Sequence, residues 1–283
     1  MLTYSSRELQ DSGRDFLNYV GNDRLLRYLT DENEITLLVN LYKTELLILS
    51  LPVFTGVEYD FKRVLLIDEE DTETMVLVYQ EELLLSKGFK AFVGDRHAVK
   101  HIREGLFETA VNVYLDCLDD LKRKYESIEN HVVEEKYVDE NIISIMKYDT
   151  ILQKALPNIE GIGLLVEGLN GRVDPGDISM VNRLNSLKVE LVQIRGMVMG
   201  LSQLGENISH TIDSINNYML NRVMRTLTIL TVCIAIPTLI AGLYGMNVPL
   251  PFQEFEWVMQ LISLVSLLII VVVLLVFKRR RYF

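Results

Sequence analysis

Two uncharged apolar runs near the C-terminus limit the possible folds more than any other feature. They span Thr226 to Tyr244 and Val258 to Phe277. At about 1.5 Å rise per residue, a helix of about 20 residues crosses the roughly 30 Å hydrocarbon layer of a bilayer. A buried soluble helix of this length usually keeps a polar stripe, and Leu267 to Phe277 has none. The sequence therefore predicts a transmembrane hairpin whose loop is residues 245–257.

Basic residues beside the two runs predict the orientation, because Lys and Arg are retained on the cytoplasmic side. Arg222 and Arg225 precede the first run, a basic tail at residues 278–283 follows the second, and the loop contains no Lys or Arg. Both termini are therefore expected in the cytoplasm, with the chain crossing the plasma membrane twice. Trp257 is placed as an aromatic anchor at the outer interface.

Charge is divided unevenly along the chain. Six basic and two acidic residues lie from Asn221 onward, so the net charge of −11 leaves −15 on residues 1–220. This acidity argues against nucleic acid as a partner and is compatible with cations. Cys117 and Cys233 are expected to be free thiols in a reducing compartment. The N-terminus lacks the pattern of a signal peptide, so the hairpin is expected to direct the protein to the lipid bilayer.

The preceding residues predict an α+β cytoplasmic domain followed by long helices. Within residues 1–95, short runs rich in β-branched and aromatic residues predict a small mixed sheet, with helices at 7–29 and 80–86. The last predicted strand is residues 89–93. Residues 96–178 have helical apolar spacing over 96–133 and 138–170, with Pro157 expected to kink or divide the second helix.

A long stalk helix is predicted from residue 179 to 244, capped at its start by Asp177 or Ser179. Its apolar residues recur in steps of three and four, averaging about 3.5, the period of a bundle or coiled coil. We call these residues the apolar stripe: Leu184, Leu187, Leu191, Ile194, Val198, Leu201, Leu204, Ile208, Ile212, Ile215 and Met219. No breaker occurs before Pro237, so one helix should join the cytoplasmic domain rigidly to the first membrane span.

Polar and small residues share one face of the first span. This polar stripe consists of Asn221, Met224, Thr228, Thr231, Ala235, Thr238 and Gly242. Such a face is either a helix-packing seam or the wall of a water-filled path. One helix cannot enclose a path, so a pore requires several copies, and the apolar stripe offers a reason for them to assemble.

The residues after this stripe resemble the CorA family of divalent-cation channels. Tyr244–Asn247 reads Tyr-Gly-Met-Asn, the signature of that family, and a short loop, a second span and a basic tail follow. The segments 221–228 and 237–244 are also similar to the family's sequences at the membrane entrance and before the signature. Two departures occur: Pro237 stands one position later than in the family, and the loop reads Val-Pro-Leu-Pro at residues 248–251.

The resemblance implies a homopentameric funnel in which the first transmembrane helix of each subunit lines the pore and the second packs outside. Gly245, Met246 and Asn247 would form the outer mouth, where a ring of Asn247 amide oxygens meets hydrated Mg²⁺. Neutral oxygens suit this role because Mg²⁺ gives up its water reluctantly. The polar stripe, together with apolar constrictions at Met224 and Leu227, would line the pore, and Asn221 would add a second amide ring.

The implied function is Mg²⁺ uptake driven by the membrane potential and gated by intracellular cation, without an organic cofactor. Glu254 and Glu256 in the loop are expected to attract cations. Acidic candidates for the regulatory sites are Asp174, Asp177, Glu206, Asp213 and residues 68–71, but the sequence does not choose among them. No catalytic motif points to an enzyme. Transport of Co²⁺, Ni²⁺ or Zn²⁺ is the alternative within the class, and a membrane-anchored scaffold without transport is the alternative outside it.

Overall fold

The computed structural model describes residues 2–5, 36–41, 44–69, 74–94, 102–133, 138–246 and 257–279. The predicted helix at 7–29 and the loop residues Asn247, Glu254 and Glu256 lie outside these ranges. The chain forms two compact units, residues 1–209 and 210–283. The finer predicted division into residues 1–95, 96–178 and 179–244 stays a prediction.

The first unit contains a small mixed sheet, as predicted. Its described strands are β1 (Leu2–Ser5), β2 (Leu37–Leu41), β3 (Thr44–Phe54), β4 (Tyr59–Glu69) and β5 (Thr74–Tyr79). The strand order is β1-β5-β4-β3-β2, with β1 parallel to β5 and the other pairs antiparallel. Leu46 to Leu49 are consecutive and all buried, so β3 is covered on both faces.

The turn between β3 and β4 depends on Gly56. Its φ of 95° lies in the left-handed region that glycine enters without a Cβ penalty. The Thr55 N–H donates to the Glu58 carbonyl at 3.0 Å, which closes the hairpin. The register then pairs Phe54 with Tyr59 and places both rings at this end of the sheet.

Helices dominate the rest of the described chain. A short 3₁₀ helix, Glu81–Leu85, precedes α1 (Lys87–Gly94), α2 (Ile102–Val133) and α3 (Val138–Asn170). The prediction of a strand at 89–93 is wrong, because Phe89 and Phe92 lie one helical turn apart in α1 and contact each other. Helix α3 continues through Pro157, so that proline does not divide it.

Polar contacts attach α2 and α3 to the sheet. The buried Asn158 of α3 accepts hydrogen bonds from the Thr36 backbone N–H at 2.9 Å and the Thr36 hydroxyl at 3.1 Å. At Gly161, one turn further on, a Cβ would lie 2.7 Å from the Thr36 carbonyl oxygen, so this approach requires glycine. The buried Tyr114 of α2 donates to the Ser50 carbonyl of β3 at 2.6 Å.

The long predicted helix is present as α4, which runs unbroken for 67 residues from Ile178 to Tyr244. Asp177 is the N-cap, since its carboxylate accepts the Met180 N–H at 3.1 Å. Ion pairs Arg183–Glu108, Lys188–Glu167 and Arg195–Glu160 hold the start of α4 against α2 and α3. Eight members of the apolar stripe are buried: Leu184, Leu187, Leu191, Ile194, Val198, Leu201, Ile208 and Ile212.

The last described helix is α5, Val258–Arg279. Among the described residues, one helix, α4, contains a stretch long and apolar enough to cross a membrane by length and composition. The apolar segment found within α5, Gln260–Val273, is shorter. The second membrane span therefore stays a prediction.

Candidate functional site

The polar stripe of α4 lies on an open face of the second unit. All seven of its residues are exposed, and Met224 has 59% of its surface accessible. Within residues 221–246, Ile229 alone is buried, at 4% exposure. Ile229 follows Thr228 by one residue and precedes Thr231 by two, so its side chain leaves the helix in a different direction. The described protein therefore leaves the stripe open.

Four members of the stripe line one shallow groove of about 770 Å³. They are Thr231, Ala235, Thr238 and Gly242, joined by Met246 of the signature and by apolar neighbours on α4. The predicted pore residues Asn221, Met224, Leu227 and Thr228 lie one to three turns earlier on the same helix and do not line this groove. The lining is mainly apolar, includes the two hydroxyl groups of Thr231 and Thr238, and carries no formal charge.

The threonine hydroxyls of the stripe share one hydrogen-bond geometry. Thr228 donates to the Met224 carbonyl at 2.8 Å, Thr231 to the Leu227 carbonyl at 2.8 Å, and Thr238 to the Ile234 carbonyl at 2.7 Å. Each hydroxyl proton is therefore directed into the helix backbone. Because a hydroxyl has one proton and two lone pairs, the exposed oxygens remain available as acceptors.

The signature begins where α4 ends. The Gly245 N–H donates to the Ala241 carbonyl at 2.9 Å, and the Met246 N–H donates to the Leu243 carbonyl at 3.3 Å. A Cβ at position 245 would lie 3.2 Å from the Ala241 oxygen, closer than side chains normally approach, so the turn favours glycine. Asn247 follows this turn directly and lies outside the described residues.

Pro237 lies inside α4 without ending it. Since proline has no N–H, the Cys233 carbonyl loses the donor that residue 237 would normally supply. The neighbouring Thr238 hydroxyl adds a bond to the Ile234 carbonyl in the same turn. The shifted proline is therefore accommodated in a continuous helix.

Several acidic residues proposed as regulatory ligands already hold partners in the first unit. Asp68 pairs with Arg103, Asp174 accepts the Gly176 N–H at 2.9 Å, and Asp177 caps α4. Among the described residues, no three His, Cys, Asp or Glu side chains converge on a common point. The structure thus assigns Asp174 and Asp177 local roles in the turn that starts α4.

The sequence did not predict an ion-pair cluster around Glu45. Its carboxylate contacts Arg103 at 2.8 Å and Arg172 at 3.0 Å, and Arg103 also contacts Asp68. Burial alone would raise the pKa of Glu45, but the hydrogen bonds and positive charges of Arg172 and Arg103 outweigh it, so the pKa is lowered. Glu45 and Arg172 are 127 positions apart, so no local pattern could reveal their contact. The cluster joins the sheet to the start of α2 and to the turn between α3 and α4.

A family model described as CorA-like Mg²⁺ transporter protein matches residues 16–279. The chain is similar to the complete CorA magnesium transporter from Methanocaldococcus jannaschii, with a TM-score of 0.80, 16% identity, and coverage of 99% of this chain and 90% of that one. It is also similar to the full-length CmaX protein, with a TM-score of 0.66, 13% identity, and coverage of 96% and 87%.

A third similar structure is the ZntB cytoplasmic domain from Vibrio parahaemolyticus RIMD 2210633, with a TM-score of 0.56, 10% identity, and coverage of 76% and 88%. No curated protein sequence matches the chain. At these identities the structural likeness shows the fold, a CorA-like arrangement of a small α/β domain and a long helix. The family match spans nearly the whole sequence, and the chain therefore belongs to the CorA-like Mg²⁺ transporter family, whose members are membrane transporters of divalent cations and not enzymes.

Proposed function

We propose that this chain is one subunit of a homopentameric Mg²⁺ channel of the plasma membrane, with the polar stripe of α4 lining the pore. The observation that carries the proposal is the direction of the threonine hydroxyls on α4. A hydrated cation points the protons of its water outward, and the stripe offers hydroxyl oxygens whose own protons are already bound. The outward protons of the hydrated cation can therefore donate to the hydroxyl oxygens of the stripe. A hydrated anion points water oxygens outward, and the lone pairs of the hydroxyl oxygens would repel them.

Assembly requires a contact surface other than the apolar stripe. Seven residues of that stripe between Leu184 and Ile208 are buried inside the first unit of a single chain, so they are not free to assemble the copies. Helix α4 has a second apolar row, which we call the outer seam: Val189, Val192, Gly196 and Met199. These residues are exposed and recur in steps of three, four and three, the spacing of a helix-packing seam.

The outer seam supports association because Val192, with 66% of its surface accessible, loses water contact only when another helix covers it. Gly196 lies in the middle of the seam and would let two helix backbones approach closely. We take the number of copies, five, from the resemblance of the signature region to the CorA family. In this arrangement α5 is the second span, packed outside α4, and both termini are cytoplasmic.

Gly245, Met246 and Asn247 are proposed as the outer mouth, with Glu254 and Glu256 concentrating cations before it. Asn221 would form an inner amide ring, and Met224 and Leu227 would form apolar constrictions that exclude water when the helices close. Both apolar side chains are more than half exposed in the single chain, as such constrictions require. Regulation by intracellular Mg²⁺ would use acidic side chains of neighbouring copies, Glu206 and Asp213 among them.

Mg²⁺ is the proposed cargo because amide and hydroxyl oxygens can hold it through its water shell. Co²⁺, Ni²⁺ and Zn²⁺ bind imidazole and thiolate ligands more strongly than Mg²⁺ does, and the proposed lining contains neither group. Cys233 belongs to the same helix but not to the polar stripe. Transport of one of these metals in place of Mg²⁺ remains the alternative within the class.

The test is cation flux in proteoliposomes that contain the full-length protein and an internal fluorescent indicator. We expect Mg²⁺ uptake that increases when the interior is made negative and that is strongly reduced by Asn247→Ala. Asn112→Ala, which changes an exposed asparagine of α2, should leave the flux unchanged. Flux equal to that of empty liposomes for all four metals would show an anchored scaffold, and preferential Co²⁺, Ni²⁺ or Zn²⁺ flux would replace the proposed cargo.

A further inference from the structure

A cleft of about 570 Å³ lies in the first unit, far along the chain from the proposed pore. One wall is the β3–β4 turn, from Phe54 to Phe61, and the other walls are α2 at Lys124 and α3 from Ser144 to Lys154. The volume falls in the range of sites that hold small organic ligands. Nothing in the proposed transport mechanism uses this cleft.

Three lysines converge on the cleft although residues 1–220 carry a net charge of −15. Lys147 and Lys154 are seven residues apart on α3 and therefore share a face, and Lys124 approaches from α2. Lys147 meets Glu58 at 3.5 Å with both side chains more than half exposed, an arrangement that contributes little and exchanges readily. Among the described residues, Lys154 forms no ion pair.

The acidic groups of the cleft have cations beside them, and Lys154 also acts electrostatically on Asp60. Asp60 pairs with Lys62 at 2.9 Å, and Asp120 accepts the Tyr59 hydroxyl at 2.9 Å and pairs with Lys124 at 2.8 Å. These contacts hold the carboxylates in place beside the cleft walls. Lys147 and Lys154 are left as the positive charges most available to an incoming anion.

Aromatic rings occupy the same cleft. The Lys124 ammonium lies 4.8 Å from the centre of the Phe54 ring, 5.1 Å from that of Tyr59 and 5.8 Å from that of Tyr148. The Lys124 charge is thus fixed between the rings, while Phe54 remains exposed to solvent at the sheet edge. A ligand that enters this space meets an exposed ring on one side and ammonium groups on the other.

We infer that this cleft binds a nucleoside phosphate, with the base against Phe54 and Tyr148 and the phosphates on Lys147 and Lys154. The pairing is chemical: a planar base stacks on an exposed ring, and a phosphate chain needs more than one cation within reach. Neither the rings nor the lysines alone would select such a ligand, because rings alone would bind any apolar molecule and lysines alone would bind any anion. The site lies in the cytoplasmic unit, where nucleotides are available.

The experiment is calorimetric titration of the full-length protein, purified in detergent with EDTA present, using ATP, adenosine and inorganic tripolyphosphate as probes. A good charged hydrogen bond or a stacked base each contributes enough to change affinity by about tenfold. ATP should therefore bind at least about tenfold more tightly than adenosine and than tripolyphosphate. Lys154→Gln and Phe54→Leu should each weaken ATP binding by about tenfold.

The matched control is Lys122→Gln, which removes an exposed lysine of α2 that does not line the cleft. It should leave ATP binding unchanged. The inference is overturned if ATP gives no binding, if tripolyphosphate binds as tightly as ATP, or if Lys122→Gln weakens binding as much as Lys154→Gln. Lys154→Gln changes an exposed side chain and removes no ring, so its result does not depend on the stability of Phe54→Leu.

Discussion

Gly205 of α4 lies directly over the phenol of Tyr125 in α2, so that a Cβ at position 205 would be 3.0 Å from the Tyr125 hydroxyl oxygen. That hydroxyl is buried and has no hydrogen-bond partner among the described residues. The ring itself packs edge-on against Tyr148 of α3, with centroids 5.5 Å apart. The close passage of α4 over α2 thus depends on the absence of a side chain at residue 205.

Gly205→Ala should be less stable than a Gly→Ala change at an open helix position, because its new methyl group pushes against the Tyr125 ring. Overpacking of this kind costs about 1–3 kcal/mol. Gly163→Ala on α3 is the matched control, since a Cβ there meets nothing within 4 Å and alanine favours helix by about 1 kcal/mol. The unfolding temperature in detergent should be higher for Gly163→Ala than for the parent, and lower for Gly205→Ala than for Gly163→Ala. Equal unfolding temperatures of the two variants would contradict the contact between residue 205 and Tyr125.

Tyr125→Phe should be neutral or stabilising. A buried hydroxyl without a partner costs about 1–3 kcal/mol, and phenylalanine removes this cost while keeping the ring against Tyr148. Tyr114→Phe provides the contrast, because the Tyr114 hydroxyl donates to the Ser50 carbonyl at 2.6 Å and its loss leaves a buried acceptor unpaired. The unfolding temperature should therefore fall for Tyr114→Phe and stay the same or rise for Tyr125→Phe, and a large loss in Tyr125→Phe would refute the assignment.

The ion-pair cluster around Glu45 should make stability depend on pH on the acidic side. A carboxylate whose folded pKa lies below its unfolded value stabilises the protein above the unfolded pKa and loses this contribution as the pH falls through the folded one. The free energy of unfolding of the parent, measured with urea, should therefore decrease as the pH falls below the usual glutamate pKa of about 4.3. Glu45→Gln should be less stable at pH 7 and show a shallower decline; an unchanged slope would exclude Glu45 as a contributor.

Thr238→Val should reduce Mg²⁺ flux if the hydroxyl oxygens contact the hydrated ion. Valine has the same shape but offers no lone pair, and a loss of about 1.4 kcal/mol in the barrier region slows passage about tenfold. Thr226→Val is the control, since Thr226 makes the same backbone hydrogen bond, at 3.0 Å to Arg222, but lies off the polar stripe. Equal flux through both variants in proteoliposomes would place the ion path elsewhere.

Val192→Glu should dissociate the oligomer, because it places a charge in the middle of the outer seam where neighbouring copies would bury it. Leu85→Glu adds the same charge at an exposed apolar residue of the 3₁₀ helix, away from the seam. Light scattering of the detergent-purified protein should show a smaller particle for Val192→Glu alone. If both variants keep the parent mass, the outer seam is not the contact surface.

The features predicted correctly from the sequence are those that depend on neighbours along the chain. The unbroken helix to Tyr244 follows from the apolar spacing and from the N-cap residue Asp177 at the start. Phe89 to Val93 misled the prediction because a short run of apolar residues interrupted by one lysine, Lys90, suits a strand as well as a short helix. Only the length of the run could have distinguished a strand from a helix, and five residues fit either element.

What the sequence could not reveal is which surface each pattern contacts. The apolar stripe has the spacing of an intermolecular coiled coil, yet most of it packs on helices of its own chain, because spacing reports a partner helix without saying where that helix comes from. The cluster of Glu45, Arg103 and Arg172 is likewise formed only by the tertiary fold, as is the approach of Lys124 to the two lysines of α3 at the proposed nucleotide cleft.

Over residues 184–201, helix α4 has two apolar rows on opposite flanks: the apolar stripe, which is buried within its own chain, and the exposed outer seam, which is the proposed contact between copies. Substitutions in the apolar stripe would yield chains that misfold, whereas substitutions in the outer seam would yield well-folded chains that stay monomeric. A saturation library over this segment should sort into two phenotypes that alternate along the sequence with the helical period. Suppressors of an assembly defect would then be sought in the partner copy and not within the same chain.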